Sequence, residues 1–162
     1  MKKNTEKTNV MRILEQKKAG YLSHCYIDTG AVSGIEVAAA LNQDPDQMFK
    51  TLVTTGNSHD HYVFLVPVHK ELDLKKAAKA VEEKSIHMLK SKDLLALTGY
   101  IHGGCSPIGM KKPFKTVIDS SAKNFDTIIF SGGKIGYQVE LSLTELGKVL
   151  RFELEDITVS GE

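Results

Sequence analysis

Cysteine is scarce: Cys25 and Cys105 are far apart and form no Cys-x-x-Cys, so a disulfide framework or zinc ribbon has no support and reduced thiols are expected. Neither sign of charge prevails. With 21 basic and 20 acidic side chains, the chain is no general polyanion binder, although a local basic patch remains open. No hydrophobic run approaches membrane-spanning length, and Met1-Lys2-Lys3-Asn4-Thr5-Glu6-Lys7 has no apolar core for a signal peptide. A cytoplasmic protein with no membrane partner is expected. Internal repeats and low-complexity tracts are also missing. What is present, 162 residues at 41% hydrophobic, suits one compact domain over residues 1–162.

Periodicity and capping residues outline an α/β chain. Val10, Ile13 and Leu14, followed by Lys17, Lys18 and Gly20, predict an amphipathic helix closed by the glycine. Residues 21–28 read as a strand. Ser33-Gly34-Ile35-Glu36 is a capping box opening a helix through Leu41, and Asp44-Pro45-Asp46-Gln47 offers a second helical start. Residues 49–55 and 61–68 flank Gly56-Asn57-Ser58-His59-Asp60 as an antiparallel hairpin. Asp73 is expected to cap a helix bearing Leu74, Ala77, Ala78 and Val81, and Ser91 another through Leu97. Strands follow at 116–119, 127–130 and 137–141, with a short helical stretch reaching Phe125 and a last helix opened by Ser142-Leu143-Thr144-Glu145. Strands joined both by a hairpin and by helices predict a mixed sheet.

Lys50 interrupts an otherwise apolar strand. By period-2 alternation Met48, Lys50 and Leu52 share one face, so the ammonium lies among apolar neighbours unless that face opens on a cleft. A fully buried lysine lowers its pKa or takes a partner, whereas an edge-strand lysine lays its stem on apolar surface and reaches water with its head. Both readings stay open on this residue alone.

Two glycine-rich segments bear on the choice. Gly103-Gly104-Cys105-Ser106-Pro107-Ile108-Gly109 follows Thr98-Gly99-Tyr100-Ile101-His102, and Ser131-Gly132-Gly133-Lys134-Ile135-Gly136 follows a strand. Such loops bring backbone amides close to a ligand, or serve as ordinary tight connections. Together, Asp44-Pro45-Asp46-Gln47-x-x-Lys50-Thr51-Leu52, Thr98-Gly99-Tyr100-x-x-Gly103-Gly104-x-Ser106-Pro107-x-Gly109 and Ser131-Gly132-Gly133-Lys134-x-Gly136 closely resemble the YbaK/EbsC family, free-standing relatives of the editing domain of bacterial prolyl-tRNA synthetases. The resemblance runs from about Thr8 to Ile157.

The resemblance implies a curved, barrel-like mixed sheet surrounded by helices. It also implies an aminoacyl-tRNA deacylase that acts in trans on misacylated tRNA, removing cysteine or alanine from tRNA(Pro) without metal or organic cofactor. Prolyl-tRNA synthetase would be a further partner. Catalysis would rest on Lys50, stabilising charge at the terminal adenosine or its phosphate, and on the backbone of Gly103 beside the ester. Gly104 would share that backbone role, with Tyr26, Thr51 and Ser131 lining the pocket and Pro107 fixing the loop. Lys111, Lys112 and Lys115, next to the loop, are the expected RNA contacts, with Lys75, Lys76 and Lys79 as a second cluster. For the cysteine-specific branch the resemblance implies that the substrate's own thiol attacks its ester carbonyl, which breaks the bond to the tRNA hydroxyl and releases a thiolactone-like product. Two departures bear on substrate identity: Ser33-Gly34 stands where cysteine-editing members carry Phe-Gly, and Gln138 replaces an acidic or small polar residue. The rival function is a non-catalytic EbsC-like regulatory or adaptor module binding an aminoacyl or nucleotide end.

Other motifs fail on spacing. Gly133-Lys134 is no Walker A element, because Ile128 and Ile135 occupy the positions of its first glycine and its Ser or Thr. Ser106 precedes Pro107 and forms no nucleophile elbow. His59 and His61 lack further zinc ligands, His102 reads first as a loop-stabilising histidine, and Cys105 lacks an evident base.

Overall fold

A computed structural model describes residues 6–160. Five helices, α1 (Asn9–Gln16), α2 (Gly34–Ala40), α3 (Leu74–Ala80), α4 (Ser91–Thr98) and α5 (Leu143–Leu146), accompany eight strands. The strands are β1 (Leu22–Cys25), β2 (Phe49–Gly56), β3 (His61–Pro67), β4 (Ile86–Met88), β5 (Lys115–Asp119), β6 (Ile128–Ser131), β7 (Tyr137–Leu141) and β8 (Glu153–Glu155). They form an antiparallel three-stranded sheet, β1-β7-β6, and a mixed five-stranded sheet, β4-β2-β3-β5-β8, in which β3–β5 and β5–β8 are the parallel pairs. The expected mixed α/β fold is therefore present. Its barrel-like sheet is divided: the two sheets meet at one parallel bridge, Met48 to Ile129, and their ladders do not close among the described residues.

Alternation along β2 and β3 decides what lies on each side. Phe49, Val53, Val63 and Leu65 turn inward and pack with Ile118 of β5, Ile128 and Phe130 of β6, Val139 and Leu141 of β7, and Val10, Met11 and Leu14 of α1. Tyr62, Phe64 and Val66 turn outward beneath Ala77, Ala78 and Val81. Met48, also outward, packs with Tyr26, Val37, Ala38 and Ile129 under α2. Fully burying a large apolar side chain such as Phe64 or Leu65 contributes roughly 1.5–3 kcal/mol, which makes these two helix-covered patches and the inner core the source of the sheet's rigidity.

Most expected caps form. The Ser33–Glu36 capping box is complete, Asp73 accepts from Lys75 and Lys76, and Ser142 accepts from Glu145. Two differ. α1 ends at Gln16 with Lys17 as its C-cap, and Lys18 itself takes φ 58°, so Gly20 is not the closing residue; the Gly20 N–H instead donates to Glu145 at 2.7 Å. α4 starts from Lys90 with no side-chain cap, and Ser91 is its first helical residue. Asp44-Pro45-Asp46-Gln47 makes a single turn, held by Asp46 N–H to the Asp44 carboxylate at 2.9 Å, and leads into β2.

Candidate active site

The outer face of β2 is covered by α2 over Met48 and by α3 next to Leu52, and Lys50 falls between the two patches. That face opens there into a cavity of about 650 Å³, lined by Lys50 together with Tyr26, Thr51, Gly103, Ser131 and Gln138. The Lys50 ammonium makes no hydrogen bond or ion pair among the described residues. Desolvation lowers the pKa of its ammonium, and the negative charge of Glu71 opposes that shift without reversing it. A half-buried cation with no partner of its own is available to an anionic or developing negative charge.

The cavity enters the sheet through a gap in the edge of β2. Gly56 N–H donates to Asp60, and Val68 N–H donates to the Met48 carbonyl, so even-numbered β2 residues direct their backbone groups to β3. Odd-numbered residues face the other edge. On that edge Ile129 N–H donates to Gln47 at 3.0 Å, and Leu89 N–H donates to Val53 at 3.1 Å. Between these points β6 has diverged and β4 has not begun, leaving Thr51 with no strand opposite its N–H and C=O. The Thr51 hydroxyl is also buried without a hydrogen-bond partner.

The two glycine-rich loops meet at the opposite wall. Gly103 has φ +90°, a conformation that favours glycine, and Gly104 packs so closely that an added Cβ would lie 3.1 Å from the Ile135 backbone nitrogen. Tyr100 Oη donates to the Ile108 carbonyl, Ser106 Oγ accepts from Ile108 N–H, and Gly104 N–H donates to Ile101, fixing the first loop from within. Burial pushes the Cys105 thiol up to about 12 despite an opposing hydrogen bond with Thr98, a poor setting for a nucleophile.

The structure thus brings together Lys50, Gly103, Tyr26, Thr51 and Ser131. Ser131 Oγ also accepts from Gly133 N–H at 3.1 Å, so its hydroxyl supports its own loop. Gly104 and Pro107 do not line this cavity: Gly104 packs against the Lys134–Ile135 backbone, and Pro107 lies on a second cavity of about 270 Å³ with Lys112, Phe114 and Arg151. Lys111 and Lys112 are exposed away from the main cavity, and Lys115 pairs with Glu153 at 3.8 Å. Ser33 and Gly34 do line the cavity, beside Val32 and Ile35. Lining residues without a sequence signal include Met88 and Leu89 of the β4 segment, Leu94 and Phe130; three strand residues are too few for a periodic pattern.

Among the described residues no group of three or more His, Cys, Asp or Glu could hold a metal ion, and no helix is long and apolar enough to cross a membrane.

Comparison with known proteins gives this geometry a context. An Enterococcus faecalis protein described as a candidate Cys-tRNA(Pro)/Cys-tRNA(Cys) deacylase, EbsC, is 44% identical over 97% of this chain and 96% of its own length. A crystal structure of a candidate trans-editing enzyme for prolyl-tRNA synthetase superposes with a TM-score of 0.82 at 22% identity, covering 96% of this chain and 100% of that one. A hypothetical protein of known structure shares the fold with a TM-score of 0.85 at 19% identity, covering 94% and 100%. The model of the aminoacyl-tRNA editing domain matches residues 29–149, which include Lys50, both glycine-rich loops and the gap in β2. The chain belongs to the aminoacyl-tRNA editing domain family.

Proposed function

We propose that this protein is an aminoacyl-tRNA deacylase that acts in trans on misacylated tRNA, as a single editing domain spanning residues 1–162 and working in the cytoplasm. The observation that carries the reading is Lys50: a desolvated cation without a partner, in a cavity whose other wall is the positive-φ Gly103 loop. Water, or in a cysteinyl ester the substrate's own thiol, adds to the ester carbonyl and the C–O bond to the tRNA breaks; the 3′-terminal hydroxyl leaves with the free amino acid or, after thiol attack, with a thiolactone that water opens to it. An aminoacyl ester is already activated, so positioning and stabilisation of the developing oxyanion suffice. Lys50 supplies positive charge to the terminal nucleotide, Gly103 supplies backbone at the reacting ester, and Tyr26, Thr51 and Ser131 position the substrate. Gly104 and Pro107 hold the loop from behind.

The name of the Enterococcus relative supports cysteine as the amino acid removed and tRNA(Pro) as its carrier. Alanyl-tRNA(Pro) is the second substrate to try, and prolyl-tRNA synthetase is the candidate protein partner. The deciding experiment incubates the purified protein with a panel of aminoacyl-tRNAs. Release of cysteine from tRNA(Pro) above the spontaneous rate, lost in Lys50→Ala, supports the reading. Tight binding of the same tRNAs with no turnover would replace it with the adaptor role.

A further inference from the structure

The gap in β2 has a shape of its own. Thr51 presents one N–H and one C=O on the open edge, between Phe49, which adjoins the Met48–Ile129 bridge, and the Val53 carbonyl that Leu89 occupies. One residue of an extended partner is missing from the ladder. The cavity lies against this place, and its walls on either side come from Leu89, Ser91 and Leu94 and from Phe130 and Ser131.

We propose that the amino acid of the aminoacyl ester fills the gap as a one-residue antiparallel strand on Thr51. This rests on the deacylase reading above and deepens it by assigning how the amino acid is held. In an antiparallel hydrogen-bonded pair the two residues exchange both bonds. The α-ammonium therefore donates to the Thr51 carbonyl, and the ester carbonyl oxygen accepts from the Thr51 N–H, which also faces the oxyanion once it forms. Directly opposed residues put their side chains on the same face of a sheet. The substrate side chain then falls on the Thr51 face, next to the buried hydroxyl that has no protein partner, and Lys50 lies on the other face, toward the nucleotide. A small side chain that can hydrogen-bond, a thiol or hydroxyl, completes that hydroxyl's bonding.

Such recognition depends on main chain and on the α-amino group. Proline at position 51 deletes the N–H that faces the gap and no β2–β3 ladder bond, because the bonds to β3 belong to the even-numbered residues. Deacylation of cysteinyl-tRNA(Pro) by Thr51→Pro should fall by about 100-fold, the scale of one lost oxyanion donor, and at least tenfold below Thr51→Ala, which keeps the N–H. A Thr51→Pro enzyme that melts normally and matches Thr51→Ala overturns the proposal.

A binding experiment on the wild-type chain decides the matter even if the proline variant unfolds or turnover proves absent. The probes are the hydrolysis-resistant 3′-(L-cysteinylamino)-3′-deoxyadenosine and its 3-mercaptopropionyl counterpart, which lacks only the α-amino group. The proposal expects the Thr51 amide resonance of ¹⁵N-labelled protein to move strongly with the first probe, and the second to bind at least tenfold more weakly. Equal affinities, no binding of either probe, or an unmoved Thr51 amide while Lys50 and Gly103 resonances shift would each overturn it. Binding as expected with no hydrolysis of any aminoacyl-tRNA would instead remove the deacylase reading and leave the mode of recognition standing.

Discussion

Gln43 and Gln138 exchange side-chain hydrogen bonds, 2.8 Å from Gln43 to Gln138 and 3.2 Å in return. Gln138 is 2% exposed, and its amide also reaches the Met48 sulfur at 3.6 Å, so its polar atoms are satisfied within the protein where the cavity meets α2. The neutral pair fixes Met48 at the head of β2 and thereby the approach to Lys50.

Breaking this pair from one side strands a buried amide, which costs about 1–3 kcal/mol, whereas removing both partners need not. Gln43→Ala should therefore lower stability by that amount, and the double variant Gln43→Ala, Gln138→Met should recover most of it. Urea unfolding of the wild type, Gln43→Ala, Gln138→Met and the double variant checks this. A double variant as unstable as the sum of the singles would show that the amides act independently.

Lys50→Ala should remove most deacylation with the fold intact, because Phe49 and Val53, 2% and 4% exposed, carry the packing of that strand. Lys50→Arg should rescue poorly, since a planar guanidinium does not replace a compact ammonium in a fitted cavity. Near-wild-type turnover by Lys50→Ala with unchanged thermal unfolding would exclude the assignment.

The lowered pKa of Lys50 adds a pH signature. If the charged form is the active one, the alkaline limb of kcat/KM lies below the ordinary lysine value of about 10.4 and disappears in Lys50→Ala. For stability the sign runs the other way. A lysine whose folded pKa is depressed binds fewer protons in the native state, so its destabilising contribution is present at neutral pH and is relieved as pH rises through the folded pKa toward the unfolded one. Lys50→Met should thus unfold at a higher temperature than wild type at pH 7, with the difference shrinking at alkaline pH.

Gly103→Ala should slow turnover while costing about 1 kcal/mol or more of local strain, because φ is +90° there. Stability and binding separate the causes. A variant that, well below its melting temperature, stays folded and binds tRNA but turns over slowly supports a backbone role at the ester, and normal turnover there with only a lowered melting temperature supports a purely conformational one.

What the sequence disclosed and what it hid divide along physical lines. Lys50 on a face with Met48 and Leu52 was legible, because period-2 alternation is local, and the caps at Ser33, Asp73 and Ser142 follow from side-chain chemistry within three residues. The gap beside Thr51 was not. It depends on where Ile129 leaves β2 and where the three-residue β4 joins it, two pairings between segments distant in the chain. Ser131 was reached only through the family resemblance, and its bond to Gly133 appears only with the loop's turn in place.

RNA binding should depend on the exposed lysines beyond the first glycine loop more than on net charge, which is +1. Lys112 shares the second cavity with Arg151 and Phe114, and Lys111 lies against Gly99 with its ammonium donating to the Ala96 carbonyl at a long 3.4 Å. Lys115 is engaged with Glu153 at 3.8 Å and should matter less. The helix α3 offers a poorer alternative, since Lys76 is held by Asp156, Thr158 and Ser160. Each phosphate contact to single-stranded RNA contributes a slope of about −0.7 in log affinity against log salt. The double variant Lys111→Ala, Lys112→Ala should accordingly bind tRNA more weakly with a shallower salt dependence, yet still hydrolyse a minimal aminoacyl-adenosine ester that lacks the distant phosphates. Equal losses on both substrates would mean that these lysines shape the cavity itself, and an unchanged slope would place the RNA path over another face.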